Sequence, residues 1–233
     1  MTVNAVLFDL DDTLYPYDPC NDAGRRAAFE TYRDRGGDLA ADAFEKRRRQ
    51  ARAATKRAVA GTASSHNRHI YYQQVVAALP GPFDADLARA LGDAYWDGYL
   101  AELSAFPDTR ETLSTLVEAN VDVGIVTNLT TRIQLRKLAR LGVDDLLDTL
   151  VTSEEVGREK PAPPVFTTAL ARLDRTPSET LVVGNSPVND IEGANALGME
   201  TALFNGPADA DTDGLRRPDH HLDSLAAVLE VAL

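Results

Sequence analysis

Short apolar runs alternate with helix-forming segments at the start of the chain and again through its second half. The runs at about residues 3–9, 121–127, 149–152, 180–183 and 201–204 predict buried strands, because parallel strands covered on both faces read as continuous apolar stretches. Helices are expected between and after them, at about residues 108–120, 131–141, 164–173, 187–197 and 222–231, the first opening with a capping box from Asp108 to Glu111. Repeated strand–helix units predict an α/β fold with a doubly wound parallel sheet.

The segment from residue 16 to about residue 105 has a different character, because no strand pattern interrupts it. Helices are predicted at about residues 19–35, 39–60, 66–79 and 84–103, separated by glycine and proline breaks. Asp18 is expected to cap the first of them, with Pro19 at its first position. We therefore expect residues 1–15 and 106–233 to form an α/β core, and residues 16–105 to form an inserted helical domain. The polar stretch 208–217 is expected to be a loop.

Acidic residues crowd together where the first predicted strand ends. Asp9, Asp11 and Asp12 follow four apolar residues, and ligands of open α/β sheets bind at the carboxyl ends of the strands. Crowded carboxylates are costly unless a cation or dense hydrogen bonding compensates for their charge. The stretch therefore indicates a metal or catalytic site, although taken alone it is also compatible with an acidic turn.

Three further segments, in fixed order along the chain, extend this pattern. Together with the first, they resemble the four motifs of the haloacid dehalogenase superfamily of aspartate-nucleophile hydrolases. The four segments are Asp9-Leu10-Asp11-Asp12-Thr13-Leu14, Thr127-Asn128, Glu159-Lys160-Pro161, and Gly184-Asn185-Ser186 with Asp190. The resemblance implies a Rossmann-like core, and it implies that the helical insertion is a type 1 cap, the kind that closes over the active site.

The resemblance also implies the catalytic roles. Asp9 would attack phosphorus and form an aspartyl-phosphate, and Asp11 would protonate the leaving oxygen and then activate water. Lys160 would neutralise Asp9 and a phosphoryl oxygen. Phosphoryl oxygens would be bound by Thr127 and by the backbone N–H of Asn128.

A magnesium site is implied as well, since a dianionic phosphate approaching two carboxylates needs a cation. Its expected ligands are Asp9, the backbone carbonyl of Asp11, and Asp190, while Thr13 would fix the loop by hydrogen bonding. Asn185 stands where the family most often has Asp, so metal binding is expected to persist with less ligand charge. An amide oxygen there still suits Mg²⁺ or a bound water.

The function implied is that of a Mg²⁺-dependent phosphomonoesterase acting on a small phosphorylated metabolite of the sugar phosphate or nucleotide type. The region from residue 152 to 161 is similar to phosphatases of sugar, triose and N-acylneuraminate phosphates and to pyrimidine nucleotidases. A phosphomutase, a 2-haloacid dehalogenase and a non-catalytic phosphate-binding module are the alternatives. Asp11 disfavours the dehalogenase, because that branch lacks an acid at this position.

Composition and net charge indicate which binding partners and which cellular compartment to expect for the protein. The net charge of −12 disfavours nucleic acid and anionic membranes as partners. A single cysteine, Cys20, and the absence of a leader or a long apolar run predict a cytoplasmic protein. Four of the 24 basic residues are lysine, which is compatible with a salt-loving organism or with a GC-rich genome. Monomer and homodimer both stay open.

Overall fold

The computed structural model describes residues 2–207 and 212–233, so the first part of the expected loop at 208–217, residues 208–211, lies outside the described residues. The chain divides into two compact units. One comprises Met1–Pro16 together with Ser104–Leu233, and the other comprises Tyr17–Leu103. A membrane span would require an apolar helix of at least 18 residues, and no helix of the described residues meets that requirement.

The first unit contains a parallel sheet. Within the described residues its strands are β1 (Ala5–Phe8), β2 (Asp122–Thr127), β3 (Thr149–Thr152), β4 (Thr180–Gly184), β5 (Glu200–Phe204) and β6 (His220–Leu222). Their order is β3-β2-β1-β4-β5-β6, and each neighbouring pair is parallel. The predicted α/β fold with a parallel sheet is confirmed, and β1 lies between β2 and β4.

Helices connect the parallel strands of the first unit along the chain. They are α5 (Thr109–Glu118), α6 (Thr131–Leu141), α7 (Ser153–Val156), α8 (Pro164–Leu173), α9 (Glu192–Asn195) and α10 (Val228–Ala232). An apolar cluster joins the sheet to α8 and α9, and its members are Leu7, Val126, Val151, Val165, Phe166, Ala169, Leu170, Val182, Ala194 and Met199. This core holds the strand ends in register at the centre of the sheet.

The second unit is helical. Its helices are α1 (Tyr17–Asp34), α2 (Ala41–Ala58), α3 (Arg68–Ala77) and α4 (Ala85–Glu102), with a short 3₁₀ turn at Ala63–His66. Asn67 caps α3 by accepting hydrogen bonds from the backbone N–H groups of His69 and Ile70. The guanidinium of Arg68 is buried and lies 5.2 to 5.4 Å from the ring centroids of three aromatic side chains, Tyr71, Tyr95 and Trp96. Cation–π contacts of this kind help to compensate for the burial of the charge.

Several local predictions are wrong in detail. Helix α1 begins at Tyr17, so Asp18 lies in its first turn and is not the cap. Asp108 makes no capping hydrogen bond to α5, because its carboxylate instead accepts the backbone N–H of Ala226 at 3.0 Å. The single helix expected at 187–197 is a π-helical turn, Pro187–Ile191, followed by α9. The expected last helix is divided among β6, a 3₁₀ turn at Leu225–Ala227 and α10.

Candidate active site

The carboxyl ends of the three central strands meet at one edge of the sheet. In the pairing register, Phe8 of β1 lies opposite Ile125 of β2 and Val183 of β4. The chain continues from β1 into Asp9, whose backbone N–H donates to the carbonyl of Val183 at 2.9 Å. Residues that follow β1, β2 and β4 are therefore neighbours, as expected for a ligand site of a parallel sheet.

Lys160 joins two of the predicted residues at this edge. Its Nζ lies 2.6 Å from Oδ1 of Asp9, from Oδ1 of Asp190 and from the carbonyl oxygen of Val126. The three protons of the ammonium group are thus matched by three acceptors. The side chains of Lys160 and Asp190 are almost completely buried, and that of Asp9 is 11% exposed. Asp9, Lys160 and Asp190 form one directly bonded cluster.

This environment changes the protonation of both partners. Burial raises the pKa of Asp9 to about 7, since the attraction of Lys160 offsets only part of the desolvation and the charges of Asp190 and Asp11 add to the rise. Burial acts to lower the pKa of Lys160, but Asp190 and Asp9 outweigh it, so that pKa is raised above its usual value. Lys160 is therefore charged, and Asp9 needs further positive charge nearby to be fully ionised at neutral pH.

Asp190 is held by a tight local structure. Its Oδ2 accepts the backbone N–H of Ser186 at 2.9 Å, while its Oδ1 accepts Lys160. A Cβ added to Gly184 would lie 2.3 Å from Oδ2 of Asp190, so the close approach of this carboxylate requires glycine at the end of β4. Both oxygens of Asp190 thus have protein partners.

Two residues that sequence reasoning missed contact Asp11. Nζ of Lys137 lies 2.6 Å from Oδ1 of Asp11, and the hydroxyl of Tyr15 donates to the same oxygen. Lys137 and Tyr15 are fully buried, whereas the side chain of Asp11 is 26% exposed. A signal was present in the sequence, because Lys137 comes four residues after Ile133 and one before Leu138, on the buried face of α6.

The predicted phosphate-binding pair, Thr127 and Asn128, lies at the end of β2. The hydroxyl of Thr127 is buried and accepts a hydrogen bond from Nε2 of Gln134 at 2.5 Å. The side chain of Asn128 contacts the backbone of Lys160 twice, accepting its N–H at 2.8 Å and donating to its carbonyl at 3.3 Å. Asn128 therefore ties the Lys160 loop to β2, a contact that the motif alone did not predict.

Thr13 and Asn185 differ from the other predicted residues in having unused polar atoms. Thr13 is fully buried, and its hydroxyl has no hydrogen-bond partner among the described residues, so the predicted loop-fixing bond is not made by its side chain. Asn185 is half-buried, and its side-chain amide makes no hydrogen bond to any of residues 2–207 and 212–233. Unsatisfied polar atoms at a site of this kind suit a bound ion, water or substrate.

Comparison with known proteins places this geometry in a family. The model of a hydrolase family, haloacid dehalogenase-like hydrolase, matches residues 3–198 of the chain. The chain belongs to the haloacid dehalogenase-like hydrolases. The family predicted from the four motifs is thereby confirmed.

Two curated relatives that align along almost the whole chain are named as phosphatases. This hydrolase is 47% identical to a ribulose-1,5-bisphosphate 5-phosphatase of Halopiger xanaduensis, over 97% of the chain and 98% of the relative. It is 33% identical to a glyceraldehyde 3-phosphate phosphatase of Methanopyrus kandleri, over 98% of the chain and 97% of the relative. The predicted class of activity, hydrolysis of a small phosphorylated metabolite, is confirmed.

Solved structures agree on the fold. A HAD phosphatase from Thermococcus onnurineus matches with a TM-score of 0.76 and 24% identity, covering 99% of this chain and 97% of that one. At this level of identity the match bears on the fold alone. The chain therefore shares its fold with a solved haloacid dehalogenase-like hydrolase.

Proposed function

We propose that the protein is a Mg²⁺-dependent phosphatase that removes a terminal phosphate from a phosphorylated sugar through an aspartyl-phosphate at Asp9. The observation that carries the proposal is the buried cluster in which Lys160 bonds Asp9 and Asp190 at the end of the central strand. An attacking carboxylate, a fixed cation and an adjacent second carboxylate are the groups that phosphoryl transfer through aspartate requires.

The reaction proceeds in two displacements. A carboxylate oxygen of Asp9 attacks phosphorus while the bond from phosphorus to the leaving oxygen breaks, and Asp11 gives that oxygen a proton. Water then attacks the aspartyl-phosphate with Asp11 as base, which restores Asp9 and releases inorganic phosphate. Lys160 stabilises the charge that builds on the phosphoryl group, and Thr127 and Asn128 bind its oxygens from the end of β2.

The residues at the site fit a magnesium ion. Asp9, Asp11 and Asp190 are bonded to the ammonium groups of Lys137 and Lys160, so ionising all three carboxylates would leave negative charge that a cation can balance. Carboxylate and amide oxygens are the ligands that Mg²⁺ prefers. When bound, the ion would neutralise phosphate charge and allow it to approach Asp9.

The hydrogen bonds of Asp190 and Asn185 bear on which of the two residues would hold the ion. Asp190 was the predicted remote ligand, but both of its oxygens already accept hydrogen bonds. The amide of Asn185 makes none within the described part of the chain. We therefore propose that Asp9, the backbone carbonyl of Asp11 and the amide oxygen of Asn185 would hold Mg²⁺ when it binds, while Asp190 holds Lys160.

A pentulose bisphosphate is the proposed substrate, with the phosphate on carbon 5 as the one removed. The relative that is 47% identical along nearly the whole chain is named for this reaction on ribulose 1,5-bisphosphate. Glyceraldehyde 3-phosphate is the second candidate, since the relative at 33% identity is named for it. We propose that the helical unit Tyr17–Leu103 acts as the cap and selects between them. A cytoplasmic location stays a prediction that rests on the single cysteine and on the lack of a long apolar run. The lack of nucleic acid and membrane partners stays a prediction that rests on the net charge of −12.

The test is release of inorganic phosphate from ribulose 1,5-bisphosphate, glyceraldehyde 3-phosphate and p-nitrophenyl phosphate. Each is assayed with Mg²⁺ or EDTA, at low salt and in molar KCl. The assays with glyceraldehyde 3-phosphate and p-nitrophenyl phosphate contain no bisphosphate, so a phosphomutase that needs a bisphosphate activator would be inactive in them. We expect Mg²⁺-dependent release that is fastest with the pentulose bisphosphate and is absent in Asp9→Asn. Release by Asp9→Asn at the wild-type rate would refute the aspartyl-phosphate mechanism. Chloride release from 2-chloropropionate would favour the dehalogenase.

A further inference from the structure

The carboxylate of Asp11 is held by two buried side chains that the four motifs do not include. Nζ of Lys137, on α6, lies 2.6 Å from Oδ1, and the hydroxyl of Tyr15 donates to the same atom. Nζ of Lys137 also lies 5.7 Å from the centroid of the Tyr15 ring, so the two side chains pack against each other. We call this pair of contacts the Asp11 clamp.

Burial makes the clamp a costly arrangement. Lys137 is 1% exposed and Tyr15 is fully buried. An ammonium group taken out of water loses several kcal/mol of hydration, and an apolar residue would fill this position on the buried face of α6 at lower cost. A lysine here is unusual for this chain, in which four of the 24 basic residues are lysine. The position thus carries a charge where packing alone would favour none.

The direction of the contacts indicates a role in positioning. The Tyr15 hydroxyl and the Lys137 ammonium approach one carboxylate oxygen from two elements, the loop after β1 and helix α6. Two donors on one oxygen restrict both the location and the rotation of a carboxyl group, whereas a single contact leaves it free to swing. A general acid must point its proton at the leaving oxygen within hydrogen-bond distance, so a restricted carboxyl group transfers its proton more readily.

We propose that Lys137 and Tyr15 are positioning residues that hold Asp11 for proton transfer to the leaving group. The inference rests on the proposed acid–base role of Asp11 in phosphate ester hydrolysis. In that step the bond from phosphorus to oxygen breaks, the proton passes from Asp11 to the leaving oxygen, and the Asp11 carboxylate remains bonded to Lys137 and Tyr15.

Leaving-group dependence separates this role from a structural one. The alkoxide that leaves a sugar phosphate is strongly basic and needs a proton, whereas p-nitrophenolate is stable as an anion and needs little help. Loss of a positioned general acid therefore slows the first displacement far more with the sugar phosphate than with the aryl phosphate. A general loss of structure slows both alike.

The variants Lys137→Met, Tyr15→Phe and Asp11→Asn are compared with the wild type on ribulose 1,5-bisphosphate and p-nitrophenyl phosphate. Arg140→Met, on the exposed face of the same helix, is the matched control. We expect Asp11→Asn and Lys137→Met to lower kcat/KM on the sugar phosphate by about 100-fold or more, and on the aryl ester by less than about 10-fold. The ratio kcat/KM reports the steps up to departure of the leaving group, so the second displacement, in which Asp11 is the base, does not enter the comparison. Tyr15→Phe is expected to show the same selectivity at smaller size, and Lys137→Arg to recover part of the loss.

The outcomes are distinguishable. Equal losses of kcat/KM on the two esters in Lys137→Met and Tyr15→Phe, or no loss in either, would refute the positioning role of these residues and leave the proposed phosphatase activity standing. Tyr15→Phe removes a single oxygen atom, so it keeps the test decisive if Lys137→Met fails to fold. Turnover by Asp9→Asn, or no turnover of either ester by the wild type, would instead refute the proposed function. The positioning role of Lys137 and Tyr15 would then be refuted as well, because it rests on that function.

Discussion

Replacing the proposed nucleophile by its neutral isostere is expected to stabilise the magnesium-free protein at alkaline pH. Burial raises the pKa of Asp9 to about 7, because one lysine is shared between Asp9 and Asp190 and cannot fully compensate for both. Asp9→Asn removes the charge at nearly constant volume, and Lys160 keeps Asp190 as its partner. The gain in stability would coincide with the loss of catalysis.

The pH dependence follows from the direction of the shift. A carboxyl group whose pKa is higher in the folded than in the unfolded chain keeps its proton longer when folded, so its contribution to stability is lost as pH rises from about 4 to 7. The rise from 3.8 to about 7 corresponds to at most about 4 kcal/mol at pH 8, with about 3 kcal/mol of it developing between pH 5 and pH 8. For a chain of this size, the change of about 3 kcal/mol between pH 5 and pH 8 corresponds to a Tm difference of about 8 °C.

The assay is thermal unfolding in EDTA at several pH values from 5 to 8. We expect the Tm of Asp9→Asn to exceed that of the wild type by a margin that widens by about 8 °C over this range. Mg²⁺ added at pH 8 should stabilise the wild type and narrow the gap, since a ligand of the folded state raises Tm. Asp223→Asn, at an exposed carboxylate, is the control and should show no widening. A constant gap at all pH values would mean that Lys160 fully compensates for Asp9, which would refute the reasoning.

Three other variants test the supports of the site. Gly184→Ala places a methyl group 2.3 Å from Oδ2 of Asp190 and should cost about 2 kcal/mol in urea unfolding as well as most of kcat; an unchanged unfolding curve would contradict the packing argument. Asn128→Ala leaves the backbone N–H and carbonyl of Lys160 without their side-chain partner and should cost about 1–3 kcal/mol in the same measurement, with no change expected only if water replaces the amide. Asn185→Asp adds a charged ligand and should tighten Mg²⁺ binding about 10-fold or more by calorimetry; equal affinity would place the ion elsewhere.

Much of the site is predictable because a parallel sheet brings strand ends together. The first, second and third motif-bearing strands become β1, β2 and β4, which are neighbours at the centre of the sheet. Residues such as Asp9 and Thr127 then fall at one edge without any knowledge of side-chain packing. Only the motif identifies Lys160 as a candidate site residue, because nothing in its local sequence distinguishes it from a surface lysine.

The parts that could not be predicted depend on long-range packing. Lys137 reaches Asp11 from a helix far along the chain, and its meaning becomes visible only when the buried face of α6 is set against the loop after β1. Asp108 fits a local capping pattern, yet a contact with Ala226 more than a hundred residues away takes its carboxylate. Strand β6 is three residues long and begins with two histidines, so it has no apolar run to reveal it.

The path of the chain around the helical unit has an evolutionary consequence. On either side of that unit, the backbone N–H of Phe106 and the hydroxyl of Thr109 both donate to the carbonyl of Leu14, at 3.0 Å each. Hydrogen bonds within the α/β unit therefore hold the two ends of the insertion close together. Because the entropy of closing a loop grows only with the logarithm of its length, a long or a short segment can be accommodated here at similar cost. Recombination at Pro16 and Ser104 would thus exchange the proposed cap, and with it the proposed substrate preference, while Asp9, Asp11 and Lys160 are inherited unchanged.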